Sequence, residues 1–122
     1  MTTKEIAIAF LTQIIEGNID SAFEKYTSID FKHHNVYFKE DADSIIVGMK
    51  ENHQQFPNKT INLHSVFEID DKIITHAFLS LGSGNPGVQL IHIFKFENDK
   101  IKEMWDCAQP LPPTSPNTLG AF

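Results

Sequence analysis

The chain contains no arginine, and its ten basic residues are all lysine. Without guanidinium forks, a surface has little means of gripping phosphate or guanine edges bidentately. The lysines are also scattered among sixteen acidic residues, for a net charge of −6. That balance excludes nucleic acid as a partner. Cysteine occurs once, at Cys107, so no intrachain disulfide can form and a reducing compartment is expected. Long apolar runs are missing as well. The first stretch is interrupted by Glu5, which predicts neither a secretory leader nor a membrane span and makes the cytoplasm the expected location.

Several chemistries lack their signatures. Gly82-Ser83-Gly84 is too short for a phosphate loop and opens no helical pattern. Six histidines raise the question of a metal, but no His-x-x-x-His pair or Cys–His cluster occurs, and adjacent His33 and His34 would point to opposite sides of a strand. Neither a metal nor a cofactor is expected. No serine or cysteine sits in a nucleophile elbow, and Cys107 reads as a buried, unreactive thiol.

What is present fits one domain with one core: 122 residues, 41% of them hydrophobic. Thr2-Thr3-Lys4-Glu5 has the form of a capping box, Ile6, Ala7, Phe10, Leu11 and Ile14 form an apolar stripe, and Gly17 supplies a stop. Asn18 can cap a second short helix that turns Ile19, Ala22, Phe23 and Tyr26 inward. Ser28–Phe38 is extended. A third helix is predicted from a cap within Asp41–Ser44 to about Gln55, with Ile45, Ile46, Met49 and His53 on one face. Alternation then marks strands over Ile61–Ile69 and Ile73–Leu81, the second placing His76 in line with Ile74 and Phe78. Helices followed by strands predict an α+β fold, with a single domain over 1–110 and a loosely attached tail over 111–122.

The strongest local signal is the hairpin Val88–Gln109, punctuated by Glu97-Asn98-Asp99-Lys100. Before the turn, Leu90, His92, Phe94 and Phe96 share a face. After it, Lys102, Met104, Asp106 and Ala108 share one face, and Ile101, Glu103, Trp105 and Cys107 the other. A two-residue turn would put His92 and Asp106 on opposite faces, whereas a bulged turn pairing Phe96 with Lys100 unites them. The bulged form is favoured, because it gathers His92, Phe94, Met104 and Asp106 as the lining of a pocket. A carboxylate among apolar neighbours must find a donor or lose its charge. The plainer alternatives are a core histidine bonded to backbone at His92, an orienting role for Asp106, and simple packing for Phe31, Phe94 and Met104. His33, His53 and His64 are expected at solvent or an interface.

The run Ile91-His92-Ile93-Phe94-Lys95-Phe96-Glu97-Asn98-Asp99-Lys100-Ile101, then Glu103-Met104-Trp105-Asp106 and Gln109-Pro110, resembles the last hairpin of the SnoaL-like polyketide cyclases, in the nuclear-transport-factor-two-like superfamily. Phe31-Lys32-His33-His34-Asn35, the Gly17-Asn18 hinge and Phe56-Pro57-Asn58 also resemble family segments. The resemblance implies three helices packed on a strongly curved antiparallel sheet, a cone-shaped, cystatin-like half-barrel enclosing a pocket. It further implies cofactor-independent acid/base chemistry on a small carbonyl-containing or polyketide-like molecule, of aldol-cyclase or isomerase type, with Asp106, His92 and His34 as catalytic candidates. Asn35, Phe31, His76, Phe94 and Met104 are candidates for the pocket. Asn35 stands where isomerase-like members place a carboxylate base, and an amide cannot take that role. The alternative is a non-catalytic module of the same fold, binding a small apolar ligand or serving assembly. Either way a homodimer is expected through the outer sheet face, where Trp105, Ile91, Ile93 and Ile101 would form an apolar surface.

Overall fold

A computed structural model describes residues 1–122. Helix α1 spans Thr3–Ile15 and begins at the capping box, in which Thr2 Oγ1 accepts from the Glu5 amide and the Glu5 carboxylate accepts from the Thr2 amide. Gly17, at φ +93°, ends it in the left-handed region that a side chain would strain. The His53 ring also lies so close that a Cβ at Gly17 would fall 2.4 Å from it. Helix α2, Ile19–Tyr26, follows immediately and leads into β1, Thr27–His33. Helix α3, Ala42–Gln55, starts at Asp41, whose carboxylate accepts from the Ser44 amide at 2.9 Å. Strands β2 (Thr60–Ile69), β3 (Lys72–Ser80), β4 (Val88–Glu97) and β5 (Lys100–Pro110) complete the chain.

The five strands form one sheet in the order β1-β5-β4-β3-β2. Antiparallel pairing, as expected, joins β2 through β5. The exception is β1, which runs parallel to β5. Antiparallel neighbours need only a tight turn, but β1 reaches β5 across α3 and three intervening strands, a connection long enough to return the chain in the same direction.

Packing follows the apolar stripes. Every inward residue anticipated on α1 and α2 is buried, together with Phe31, Ile45, Ile73, Phe94, Phe96, Ile101 and Met104. Four phenylalanines fasten the layers edge to face: Phe10 meets Phe23 at 5.1 Å and Phe94 at 5.9 Å, and Phe23 meets Phe31 at 5.4 Å.

The hairpin departs from the favoured turn. Asn98 and Asp99 both have positive φ, 52° and 59°, and Glu97 pairs with Lys100, which defines a two-residue turn. The extra residue is Lys102 instead, since Phe96 pairs with Ile101 and Lys95 with Glu103. This bulge reverses the faces beyond it. Ile101 therefore lies in the core at 0% exposure, not on the outer surface, and Lys102 reaches the Glu97 and Asp30 carboxylates. His92 is set directly opposite Asp106, and Phe94 opposite Met104.

Residues 111–122 contain no helix or strand, yet the segment is held at both ends. The Leu111 amide donates to the Gly87 carbonyl at 2.9 Å, and the Phe122 ring stacks on His64 and His76 at 4.3 and 4.9 Å. Cys107, expected inside, is exposed. It lies beyond the helices' cover, on the outward parity of β5.

Phe94, at 0% exposure, carries the junction between α1 and β4. Phe94→Ala should lower unfolding free energy by about 3–5 kcal/mol, the usual cost of emptying a phenylalanine site. Urea titration checks this, and a loss below about 1 kcal/mol would mean that the core is not keyed at this residue.

Candidate functional site

Between the sheet's concave face and the helices lies a cavity of about 360 Å³. Its walls are mainly aliphatic and aromatic, contributed by α1 (Phe10, Leu11, Ile14), α3 (Ile45, Met49) and the strands (Leu79, Leu90, Met104). Only five polar side chains reach it: Asn35, Asn52, Lys59, His92 and Asp106.

Three of these form one cluster. Asp106 Oδ2 accepts a hydrogen bond from Asn35 Nδ2 at 2.8 Å, while Asp106 Oδ1 lies 3.3 Å from His92 Nε2. Asn35 is itself oriented on both sides, because its Oδ1 accepts from the Tyr37 amide at 3.1 Å and its backbone amide donates to His33 Nδ1 at 3.0 Å. The carboxylate has thus found one donor, Asn35. The side chains of His92 and Asp106 are only 8% and 15% exposed, so their interaction takes place where solvent screens it weakly.

Burial holds the His92 imidazole below the ordinary histidine range, and the Asp106 charge opposes that shift without overcoming it. The ring stacks on Phe94 at 5.5 Å, and its Nδ1 is buried without a partner. Thr75, paired with His92 across the sheet, also has a buried hydroxyl without a partner. A neutral imidazole facing a carboxylate can accept or relay a proton. No group of three or more His, Cys, Asp or Glu side chains is placed to hold a metal ion.

The other candidates are distributed differently. Met104 and Asn35 line the cavity, whereas Phe31 and Phe94 are packed in the core around it. His34 lies on the opposite face of the sheet, stacked on Trp105 at 4.7 Å with its Nε2 2.5 Å from a Glu103 carboxylate oxygen. Its convergence with His92 and Asp106 is therefore corrected. Extended backbone alternates, so if Asn35 points inward then His34 must point outward. His76 is also outside, bonded to Gln89 at 2.7 Å and stacked on Phe122. His33, expected at the surface, is buried at 3% exposure on the inward parity of β1. Lys59 and Asn52 were not anticipated. The one available signal for Lys59 was its parity with Ile61 and Leu63, the inward residues that follow it.

No family model matches the chain, and no curated protein matches it in sequence. Solved structures do match in shape. IdmH, a candidate polyketide cyclase from Streptomyces antibioticus, superposes with a TM-score of 0.73 at 12% identity, over 89% of this chain and 93% of that one. A candidate polyketide cyclase from Acidithiobacillus ferrooxidans gives 0.72 at 16% identity, over 88% and 89%. An NTF2-like protein of unknown function from Cytophaga hutchinsonii gives 0.70 at 13%, over 90% and 92%. The fold is therefore the cystatin-like, NTF2-like cone. Candidate polyketide cyclases and an NTF2-like protein are among its structural neighbours. No helix is long and apolar enough to cross a membrane.

The His92 environment has a pH signature. Above the ordinary histidine value of 6.5 the ring is neutral in folded and unfolded chains alike, so it contributes no pH dependence there. Below 6.5 the unfolded chain takes up the proton first, and stability falls until the lowered folded value is passed. His92→Gln should therefore flatten the acid-side slope of unfolding free energy by up to about 1.4 kcal/mol per pH unit. Denaturant melts of both proteins between pH 7 and pH 4.5 measure it, and parallel slopes would exclude a depressed His92.

Proposed function

We propose that this chain is a cofactor-independent acid/base enzyme acting on a small carbonyl compound, of cyclase or isomerase type. One observation carries the reading: a carboxylate held by an amide and faced by a neutral imidazole opens onto an apolar cavity large enough for a bicyclic ring system. Asp106 takes the proton adjacent to the substrate carbonyl, Asn35 fixes the carboxylate's orientation, and His92 receives or returns the proton as charge moves. The likeness in shape to candidate polyketide cyclases supports this direction, as does the Trp105-Asp106 element that resembles the SnoaL-like hairpin. His34, on the far side of the sheet, has no part in it.

Proton abstraction can be read without the natural substrate. In deuterated water, the protein should accelerate exchange of the α-protons of 2-tetralone, followed by NMR. Asp106→Asn should keep the fold and reduce that acceleration by about a hundred- to ten-thousand-fold, the range associated with a positioned acid/base group. Unchanged exchange in the variant would reduce the site to a binding pocket.

We propose in addition that a second copy of the chain covers the outer face of β4 and β5. Ile91 is 41% exposed there, beside half-buried Ile93 and Trp105, while Phe122 covers the neighbouring part of the same face at Phe78. Sedimentation should show a dimer at micromolar concentration that Ile91→Lys dissociates. A monomer throughout would contradict it.

A further inference from the structure

The cavity holds one cation that the acid/base cluster does not use. Lys59 is only 8% exposed, and its Nζ donates to Asn52 Oδ1 at 2.7 Å. No carboxylate lies within ion-pair distance of it, in contrast to Lys50, Lys72 and Lys102, each of which meets an acidic side chain. It is also the only lysine on the cavity wall. Burying an ammonium against a neutral amide is costly unless something else compensates, and burial holds the Lys59 ammonium below the ordinary lysine range.

Place in the fold gives the amine a direction. Lys59 enters the cavity just before β2, whereas Asp106 enters from β5, and strands β3 and β4 lie between them. The two charges therefore enter from opposite sides of β3 and β4, with Leu79 and Leu90 on the lining between them. Asn52 accepts from Lys59 through its carbonyl oxygen, and its amide N–H groups donate to no protein atom. An ammonium and an amide side by side offer one donor to each oxygen of a carboxylate. A phosphate dianion would ask for more donors and more positive charge than this wall provides.

We propose that Lys59 and Asn52 form an anion subsite that selects carboxylic acids, so that the ligand is a small apolar acid bearing its carbonyl at the Asp106 end. This rests on reading the cavity as a ligand site, but not on catalysis there. An incoming carboxylate supplies the counter-charge that the folded chain lacks, and the walls between the two ends accept the ligand's apolar body. Lys59 is then a specificity-determining residue, while proton transfer stays with Asp106 and His92.

Calorimetric or NMR titration with 2-naphthoate and its neutral counterpart 2-naphthamide tests this directly. At neutral pH the wild-type protein should prefer the acid by about tenfold or more, the scale of one charge-assisted hydrogen bond. Lys59→Met and Lys59→Gln should each abolish the preference while keeping amide affinity, and melting curves of both would report that the fold persists. The wild-type preference should also fade as pH rises and Lys59 loses its proton. Equal affinity for acid and amide in the wild type, no binding of the acid, or a preference that survives in both variants would overturn the subsite. Because binding is read without turnover, a preserved acid preference alongside absent proton exchange would uphold Lys59 and reject the enzymatic reading, and the reverse result would do the opposite.

Discussion

One inserted residue, Lys102, fixes which side chains of β5 see the interior. Side chains alternate along a strand, so a shift of one position moves every later residue to the other face. With Lys102 bulged outward toward Glu97 and Asp30, both Ile101 before it and Met104 after it point into the core. Asp106 then falls opposite His92, on the concave side. Without the bulge, the same two-residue turn would place Trp105 opposite His92 and expose Asp106 on the convex face. The site is thus a consequence of strand register more than of any loop.

A second constraint is the scarcity of counter-charge in the cavity. Asp106 is tolerable there because Asn35 donates to it and His92 faces it, and His92 remains uncharged because desolvation outweighs the neighbouring carboxylate. Neither partner of this cluster is locked in a fully satisfied ion pair. The unpartnered His92 Nδ1 and Thr75 hydroxyl extend the polar surface behind the ring. Lys59 represents the converse situation, a desolvated cation whose only partner is neutral. Apolar walls between the two make the cavity a place where charge is present but sparsely compensated, which is the electrostatic setting in which a bound polar group gains most.

Much of the fold was legible because its signals are local. The Thr2–Glu5 capping box, the stripe from Ile6 to Ile14 and the Asp41 cap each act within one or two turns of chain and sit where expected, and the Asn98-Asp99 turn falls at its expected place although not in the favoured bulged form. The parallel pairing of β1 was not legible, since partners so distant in sequence leave no periodic trace. The geometry of the site was legible in part. His92 and Asp106 were placed on one face, but through a bulge assigned to the turn and not to Lys102, which cost the position of Ile101. His34 resembles a family motif position, but Asn35 and His34 cannot both face inward in extended chain, and it is Asn35 that does. Lys59 carries little local signal, because lysine between a helix and a strand usually faces solvent and only tertiary packing by α3 buries this one.

The most direct test of the account is a crystal structure of the protein with 2-naphthol, whose hydroxyl mimics an enol in an apolar bicyclic frame. The hydroxyl should lie within hydrogen-bonding distance of the Asp106 carboxylate, about 2.5–3.0 Å, with the rings between α1, α3 and Leu90. Naphthol bound with its oxygen turned away from Asp106 and His92, or bound only outside the cavity, would contradict the claim that this cluster is a centre for proton transfer.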